Sequence, residues 1–179
     1  MTRLKTAVNS ADHHEGNSRG AITLVEYGDF ECPHCGLAYP LVKRLLKEKG
    51  SELRFVFRNF PLSEIHPNAF ASAIAAEAAG KQGKFWEMHD LIFENQDSLS
   101  PDFLMSLAED LGLDLEKFTK DSGSEEIKNK IEMDFEGGVH SGVNGTPTFF
   151  LNGLRVITYD ETYESLLEAI LLENEMNQH

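Results

Sequence analysis

The chain has 179 residues, 41% of them hydrophobic and 26% charged, which is the balance of one folded unit able to bury a core without disulfide staples. Its 16 Lys and Arg against 30 Asp and Glu leave a formal charge of −14, which argues against nucleic acid or an anionic membrane surface as partner. Apolar runs are short, residues 169–172 being typical, so no membrane insertion is expected.

Arg3 and Lys5 stand near the N-terminus, but residues 6–20 hold no apolar stretch of the kind a secretory signal needs. They run instead through Asp12, His13, His14, Glu15 and Asn17. A cytoplasmic protein is expected, with an exported or periplasmic one as the alternative if a leader has been trimmed. The His13-His14 pair is assigned no chemistry.

Residues 21–27 (Ala-Ile-Thr-Leu-Val-Glu-Tyr) are β-rich and apolar, as a buried strand should be. Gly28-Asp29-Phe30-Glu31 makes a loop to Cys32. Pro33 suits the first position of a helix, since its ring presets φ and its missing N–H has no partner to lose there. Leu37, Leu41 and Leu45, widened by Val42 and Leu46, give that helix an apolar stripe. Pro40 should kink it, and Gly50 should close it. Leu53, Phe55 and Phe57 alternating with Arg54, Val56 and Arg58 read as a second strand.

The middle reads as four helices. Pro67 opens an alanine-rich one closed by Gly80, and Phe85, Met88, His89 and Ile92 mark the next. Ser100-Pro101 starts a third, stopped at Gly112. Ser122 and Glu125 form a capping box before Ile127, Ile131 and Phe135, and Gly137-Gly138 should weaken this fourth helix. Strands return at 148–151 and 154–157, joined by the hairpin signal Asn152-Gly153. Asp160 should cap a last helix carrying Tyr163, Leu166, Leu167 and Ile170, with the acidic 173–179 stretch a solvated, fraying end. The order is β-α-β, a helical block, then β-β-α. It divides into a discontinuous α/β domain, 1–62 with 141–179, and a helical insertion, 63–140.

The two cysteines stand together as Cys32-Pro33-His34-Cys35. Chance spacing would produce this in roughly 1% of sequences with two cysteines, so the pair points to chemistry. Three readings are open: half of a zinc site, a redox pair, or inert thiols. Tetrahedral zinc wants four ligands, and no second cysteine pair exists; His13, His14 and His140 lack finger-like spacing. The redox reading has a local cause, because a cysteine at a helix start faces free N–H groups and the positive end of the macrodipole. Cys32 is then the nucleophile, and Cys35, one turn in, resolves the mixed disulfide. His34 adds a donor and, when protonated, a positive charge that favours the Cys32 thiolate. His66, His89 and His140 read as structural histidines, and Phe85, Trp86 and the alanine face as core.

Phe30-Glu31-Cys32-Pro33-His34-Cys35 after an apolar strand resembles the DsbA-like branch of the thioredoxin superfamily. So do residues 24–31, Phe57-Arg58-Asn59-Phe60-Pro61-Leu62, His66-Pro67, residues 83–89 and residues 142–150. The resemblance spans nearly the whole chain. It implies a thioredoxin fold with an inserted all-helical domain and protein dithiol-disulfide oxidoreductase activity. It also implies that Pro147 is the cis-proline beside the disulfide, that Pro33, Thr146 and Pro147 contact substrate, and that Glu26 is a buried acid beneath the active-site helix. Such an acid has a pKa raised by desolvation and moves a proton to or from Cys35. A solvent-facing strand position for Glu26 remains the alternative.

The expected partners are protein or peptide thiols and disulfides, with glutathione or a thioredoxin-type system as the external electron couple, no bound cofactor, no metal and a monomeric state. Pro-His between the cysteines resembles oxidising members, whereas a cytoplasmic location favours a resting dithiol. A metallochaperone module, a non-catalytic adaptor and a glutathione-dependent enzyme of the kappa-class branch are the competing functions.

Overall fold

The computed structural model describes residues 2–177, with side chains for residues 2–173. Five strands form one sheet: β1 (His13–Gly16), β2 (Ile22–Gly28), β3 (Leu53–Asn59), β4 (Thr148–Leu151) and β5 (Leu154–Arg155), in the order β1-β3-β2-β4-β5. β2 and β3 are parallel, and the other pairings are antiparallel. The apolar runs of β2 and β3 occupy the middle of the sheet because both of their faces are covered, which suits continuous hydrophobic strands. The β4–β5 turn forms as expected, with Asn152 at φ 46° and Gly153 at φ 82°, the left-handed pair a tight hairpin needs. β5 stops at Arg155, shorter than the alternation suggests.

Helices among the described residues are α1 (Pro33–Lys49), α2 (Ala69–Gly80), α3 (Phe85–Glu94), α4 (Pro101–Asp110), α5 (Leu115–Ser122), α6 (Glu125–His140) and α7 (Tyr163–Asn177). The architecture is an α/β thioredoxin fold, with α2–α6 placed between β3 and β4. α1 starts at Pro33 and runs on through Pro40 to its end at Gly50. No described helix is long and apolar enough to cross a membrane.

The structure corrects several local expectations. α2 begins at Ala69, two residues past Pro67, with Asn68 at the cap position. The cap of α6 is Ser124, whose hydroxyl accepts from Ile127 N–H; Ser122 instead ends α5, a helix with too few apolar positions (Leu115, Phe118) to show by periodicity. Gly137 and Gly138 do not weaken α6. They let it approach the sheet, since a Cβ on Gly138 would lie 2.7 Å from the Phe60 ring and 3.0 Å from Tyr27. Asp160 does not cap α7: Thr162 Oγ1 accepts from Ser165 N–H, and Asp160 binds Thr162 in turn. β1 is a polar strand, held by its register with β3 rather than by its own composition. The 173–179 expectation falls largely outside the described side chains.

Arg58 is 2% exposed, which its alternating pattern does not foretell. It forms a bidentate pair with Asp12 at 2.8 and 2.9 Å and donates to Tyr27 Oη and the Thr6 and Ala7 carbonyls. The larger apolar cluster contains Leu24, Phe55, Phe57 and Phe149 from the sheet, Cys35 and Leu45 from α1, and Ala76, Met88 and Leu107 from the inserted helices. Each fully buried Leu, Phe or Met among them contributes about 1.5–3 kcal/mol. The start of α1 is thus packed from the sheet on one side and the inserted helices on the other.

Candidate active site

The site grows from the end of β2. Strand pairing stops at Gly28, and the chain turns so that Cys32 becomes the N-cap of α1, with φ −69° and ψ 122°; Pro33 occupies the first turn. Cys32 N–H donates to the Asp29 carbonyl at 3.1 Å, and the Cys32 carbonyl accepts from Gly36 N–H at 3.1 Å. Gln96, from the turn after α3, donates to the carbonyls of Phe30 (2.8 Å) and Cys32 (3.0 Å), fixing the loop from the helical side.

Both cysteines are free thiols. Their environments push their pKa values apart. Cys32 falls to about 5: the Cys35 thiol donating to it is the largest cause, burial opposes, and the Thr146 side chain and the main-chain N–H groups of Cys35 and His34 add to the stabilisation. Cys35, fully buried, is pushed well above the ordinary thiol range, first by burial and then by its hydrogen bond to Cys32 and the Glu26 and Cys32 charges. These opposite shifts favour the thiolate at Cys32 and the protonated thiol at Cys35 at neutral pH.

Glu26 is 3% exposed, so the solvent-facing alternative is excluded. It pairs with Phe57 on one side and Phe149 on the other, and its pKa rises to about 8, mainly by burial and secondarily by the Cys32 charge. Across the site, the Thr146–Pro147 peptide bond is cis. The Cys32 thiol donates to the Thr146 carbonyl at 3.4 Å. The Thr146 hydroxyl is buried and has no other partner, which leaves it free to donate to a thiolate.

His34 has a side-chain partner that the sequence does not single out. Its imidazole is exposed and its Nδ1 engages the Glu161 carboxylate, while the group of His34 that reaches the Cys32 sulfur is the main-chain N–H. Glu161 adopts φ 69°, unusual for a residue with a side chain, and no sequence signal marks it as a neighbour of the motif.

Asp29 is the other residue that sequence reasoning missed, although it stood in the quoted loop. Its N–H donates to Cys35 Sγ at 3.4 Å, and its buried carboxylate accepts from Glu31 N–H (2.8 Å) and Leu62 N–H (2.9 Å) and pairs with His66 Nδ1 (2.7 Å). His66 is therefore a loop clamp. His89 is buried among Phe30, Phe57, Phe85 and Phe93, its pKa lowered chiefly by burial. Phe85 is core, and Trp86 donates to the His14 carbonyl. Among the described residues, no three His, Cys, Asp or Glu side chains converge as metal ligands would. The site therefore joins Cys32, Cys35, Glu26, Thr146 and Pro147, with Pro33 opening the helix and the His34 ring bonded to Glu161.

The thioredoxin family profile matches residues 8–171. The chain is 48% identical over 144 residues to a protein of Salinispora arenicola named Na(+)/H(+) antiporter NhaA 1, covering 80% of this chain and 22% of that protein. It is 40% identical over 154 residues to a like-named protein of Mycolicibacterium vanbaalenii, covering 85% and 25% respectively. The chain thus spans about a quarter of these relatives' length. Among solved structures, a thioredoxin-like oxidoreductase from Silicibacter pomeroyi superimposes with a TM-score of 0.82 at 26% identity, over 93% of this chain and 94% of that one. DsbA2 of Pseudomonas aeruginosa gives 0.72 at 25% identity over 92% and 95%. BdbD of Bacillus subtilis, at 24% identity and a TM-score of 0.79 over 91% and 92%, shares the fold. The chain belongs to the thioredoxin family and has the DsbA-like form of its fold.

Proposed function

We propose that the protein is a thiol-disulfide oxidoreductase that exchanges disulfides with protein or peptide thiols through Cys32 and Cys35. The observation that carries this reading is the split between the two thiols: Cys32 near pKa 5 at the head of α1, and Cys35 buried behind it with its proton held. In the reductive direction the Cys32 thiolate attacks a partner disulfide. One Cys32–partner bond forms, the partner's S–S bond breaks, and the leaving sulfur carries off the electron pair. Cys35 then loses its proton and attacks Cys32 Sγ, releasing the second partner sulfur and leaving the Cys32–Cys35 disulfide. The reverse sequence oxidises a partner dithiol. An external thiol couple, glutathione or a thioredoxin-type protein, restores the starting state, and no bound cofactor takes part.

Main-chain groups of Thr146 beside Cys32 suit an extended peptide, because backbone pairing accepts many sequences. A largely apolar groove of about 570 Å³, lined by Leu62, Ile65, Phe70, Ile131 and Phe135 together with Glu64, Glu132 and Glu136, opens along the loop that Asp29 clamps and is a candidate seat for part of such a peptide. The test is covalent trapping. Cys35→Ser protein incubated with a disulfide-bonded peptide should accumulate an adduct at Cys32, read by mass spectrometry of the proteolysed complex. Absence of any Cys32 adduct rejects the reading.

A further inference from the structure

Tyr159 lies between β5 and α7 and has no part in the exchange just described. Its ring meets Phe149 edge-on, with centroids 4.9 Å apart, and packs on the apolar cluster that includes Cys32, Cys35 and Phe149. Phe149 is the cross-strand partner of Glu26. Directly paired residues project from the same sheet face, so Tyr159 stands one aromatic ring from the buried acid. The residue as a whole is half-buried, yet its hydroxyl is buried and unpartnered: the phenol is inserted hydroxyl first. Buried hydroxyls are almost always hydrogen-bonded, and no described protein group pairs with this one, so its partner has to be one that the protein's own atoms do not supply.

The ionisable groups that act most strongly on Tyr159 are Glu26 from β2, Cys35 from α1, and Glu161 and Asp160 from its own loop, Glu161 being paired in turn with His34 of α1. Glu26, Cys35, Glu161 and Asp160 all become negative when ionised. Burial first, and these groups next, hold the phenol in its protonated form, so it can act only as a donor toward its acidic neighbours.

Resting on the thiol-disulfide reading of Cys32 and Cys35, we propose that Tyr159 is a positioning residue for the proton that Cys35 must lose, its hydroxyl donating through one water to the ionised Glu26 carboxylate. Once Cys32 is tied up in a mixed disulfide, its charge no longer raises Glu26, and the acid ionises more readily. The Tyr159 donor lowers the cost of that carboxylate further. The Cys35 proton passes to Glu26, the Cys35 sulfur bonds to Cys32 Sγ, the Cys32–partner bond breaks, and the partner leaves as a thiolate that solvent protonates. Glu26 returns its proton to solvent after the step.

Tyr159→Phe keeps the ring on Phe149 and removes only the donor. Reduced protein mixed with 5,5′-dithiobis(2-nitrobenzoate) in a stopped-flow instrument releases one chromophore when Cys32 attacks and a second when Cys35 resolves. The expected result is an unchanged first phase at every pH, with the pH midpoint of the second phase displaced upward by about one unit, so that it runs about tenfold slower on the acid side. On a Glu26→Gln background, Tyr159→Phe should change neither phase. A second phase that superimposes on the unmodified protein's from pH 4 to 9 overturns the proposal, as does an equal effect of Tyr159→Phe with and without Glu26. Absence of the first phase in the unmodified protein overturns the thiol-disulfide reading itself.

Discussion

The main-chain N–H of Asp29 donates to the sulfur of Cys35 at 3.4 Å, while the Asp29 carboxylate ties down the loop that follows β3. The residue thereby links the resolving thiol to Leu62 and His66, which lie more than 30 positions along the chain. Removing the carboxylate leaves the Glu31 and Leu62 N–H groups without their acceptor. Asp29→Ala should lower stability by about 2–4 kcal/mol in urea unfolding at pH 7, since two charge-assisted hydrogen bonds and the His66 contact are lost. A loss below about 0.5 kcal/mol contradicts the clamp.

Glu26 gives stability a particular pH dependence. Its pKa is 4.5 in an ordinary setting and about 8 in the fold, so between those values the native state keeps a proton that the unfolded chain has released. Native binding of the extra proton means stability falls as pH rises through this window and levels off above about 8. Glu26→Gln should remove that slope and be the more stable protein at pH 8.5. Parallel unfolding curves for the two proteins across pH 5–8.5 would refute the assignment.

Asp12 and Arg58 form a buried pair, with side chains 4% and 2% exposed. Burial alone would raise Asp12, but hydrogen bonds from Arg58 and the Asn9 N–H outweigh it and hold the carboxyl below its ordinary value. The pair's contribution is present above the ordinary carboxylate range and is lost as pH falls through the lowered one. Asp12→Ala strands the Arg58 guanidinium and should cost about 3–5 kcal/mol by thermal or chemical unfolding. Double replacement of Asp12 by Ala and Arg58 by Met should recover part of that loss.

The Cys35 thiol is the largest cause of the low Cys32 value. Cys35→Ala removes that donor while leaving the helix start and the main-chain N–H groups in place. Thiolate absorbance near 240 nm should show the Cys32 midpoint rising by about one to two pH units. An unchanged midpoint would shift the explanation to the helix terminus alone. His34→Ala should move the same midpoint by less, because the imidazole is turned to Glu161 and the His34 N–H survives the substitution.

Legibility followed the range of the forces involved. The start of α1 was readable because Pro33 and the cysteine spacing are local, and the β4–β5 turn because Asn152-Gly153 carries its own backbone preference. β1 was not, since His13, His14, Glu15 and Gly16 become a strand only by pairing with β3. Gly137 and Gly138 read as a weak point when taken alone; their value lies in the approach of α6 to Phe60 and Tyr27. Within the site, Cys32 and Cys35 declare themselves by spacing, whereas Glu161 and Tyr159 come from a loop more than 120 residues away that no periodicity connects to the motif. Arg58 shows the same limit: an alternating strand pattern cannot tell that Asp12 waits on the far side.

The most direct measurement is the rate of alkylation of Cys32 by iodoacetamide as a function of pH, with Cys35 modification followed separately by peptide mass mapping. Cys32 should react with a midpoint near 5 and be fully reactive at pH 7, while Cys35 stays unmodified in the folded protein. A Cys32 midpoint at the ordinary thiol value of about 8.5, or equal modification of both cysteines at pH 7, would contradict the account.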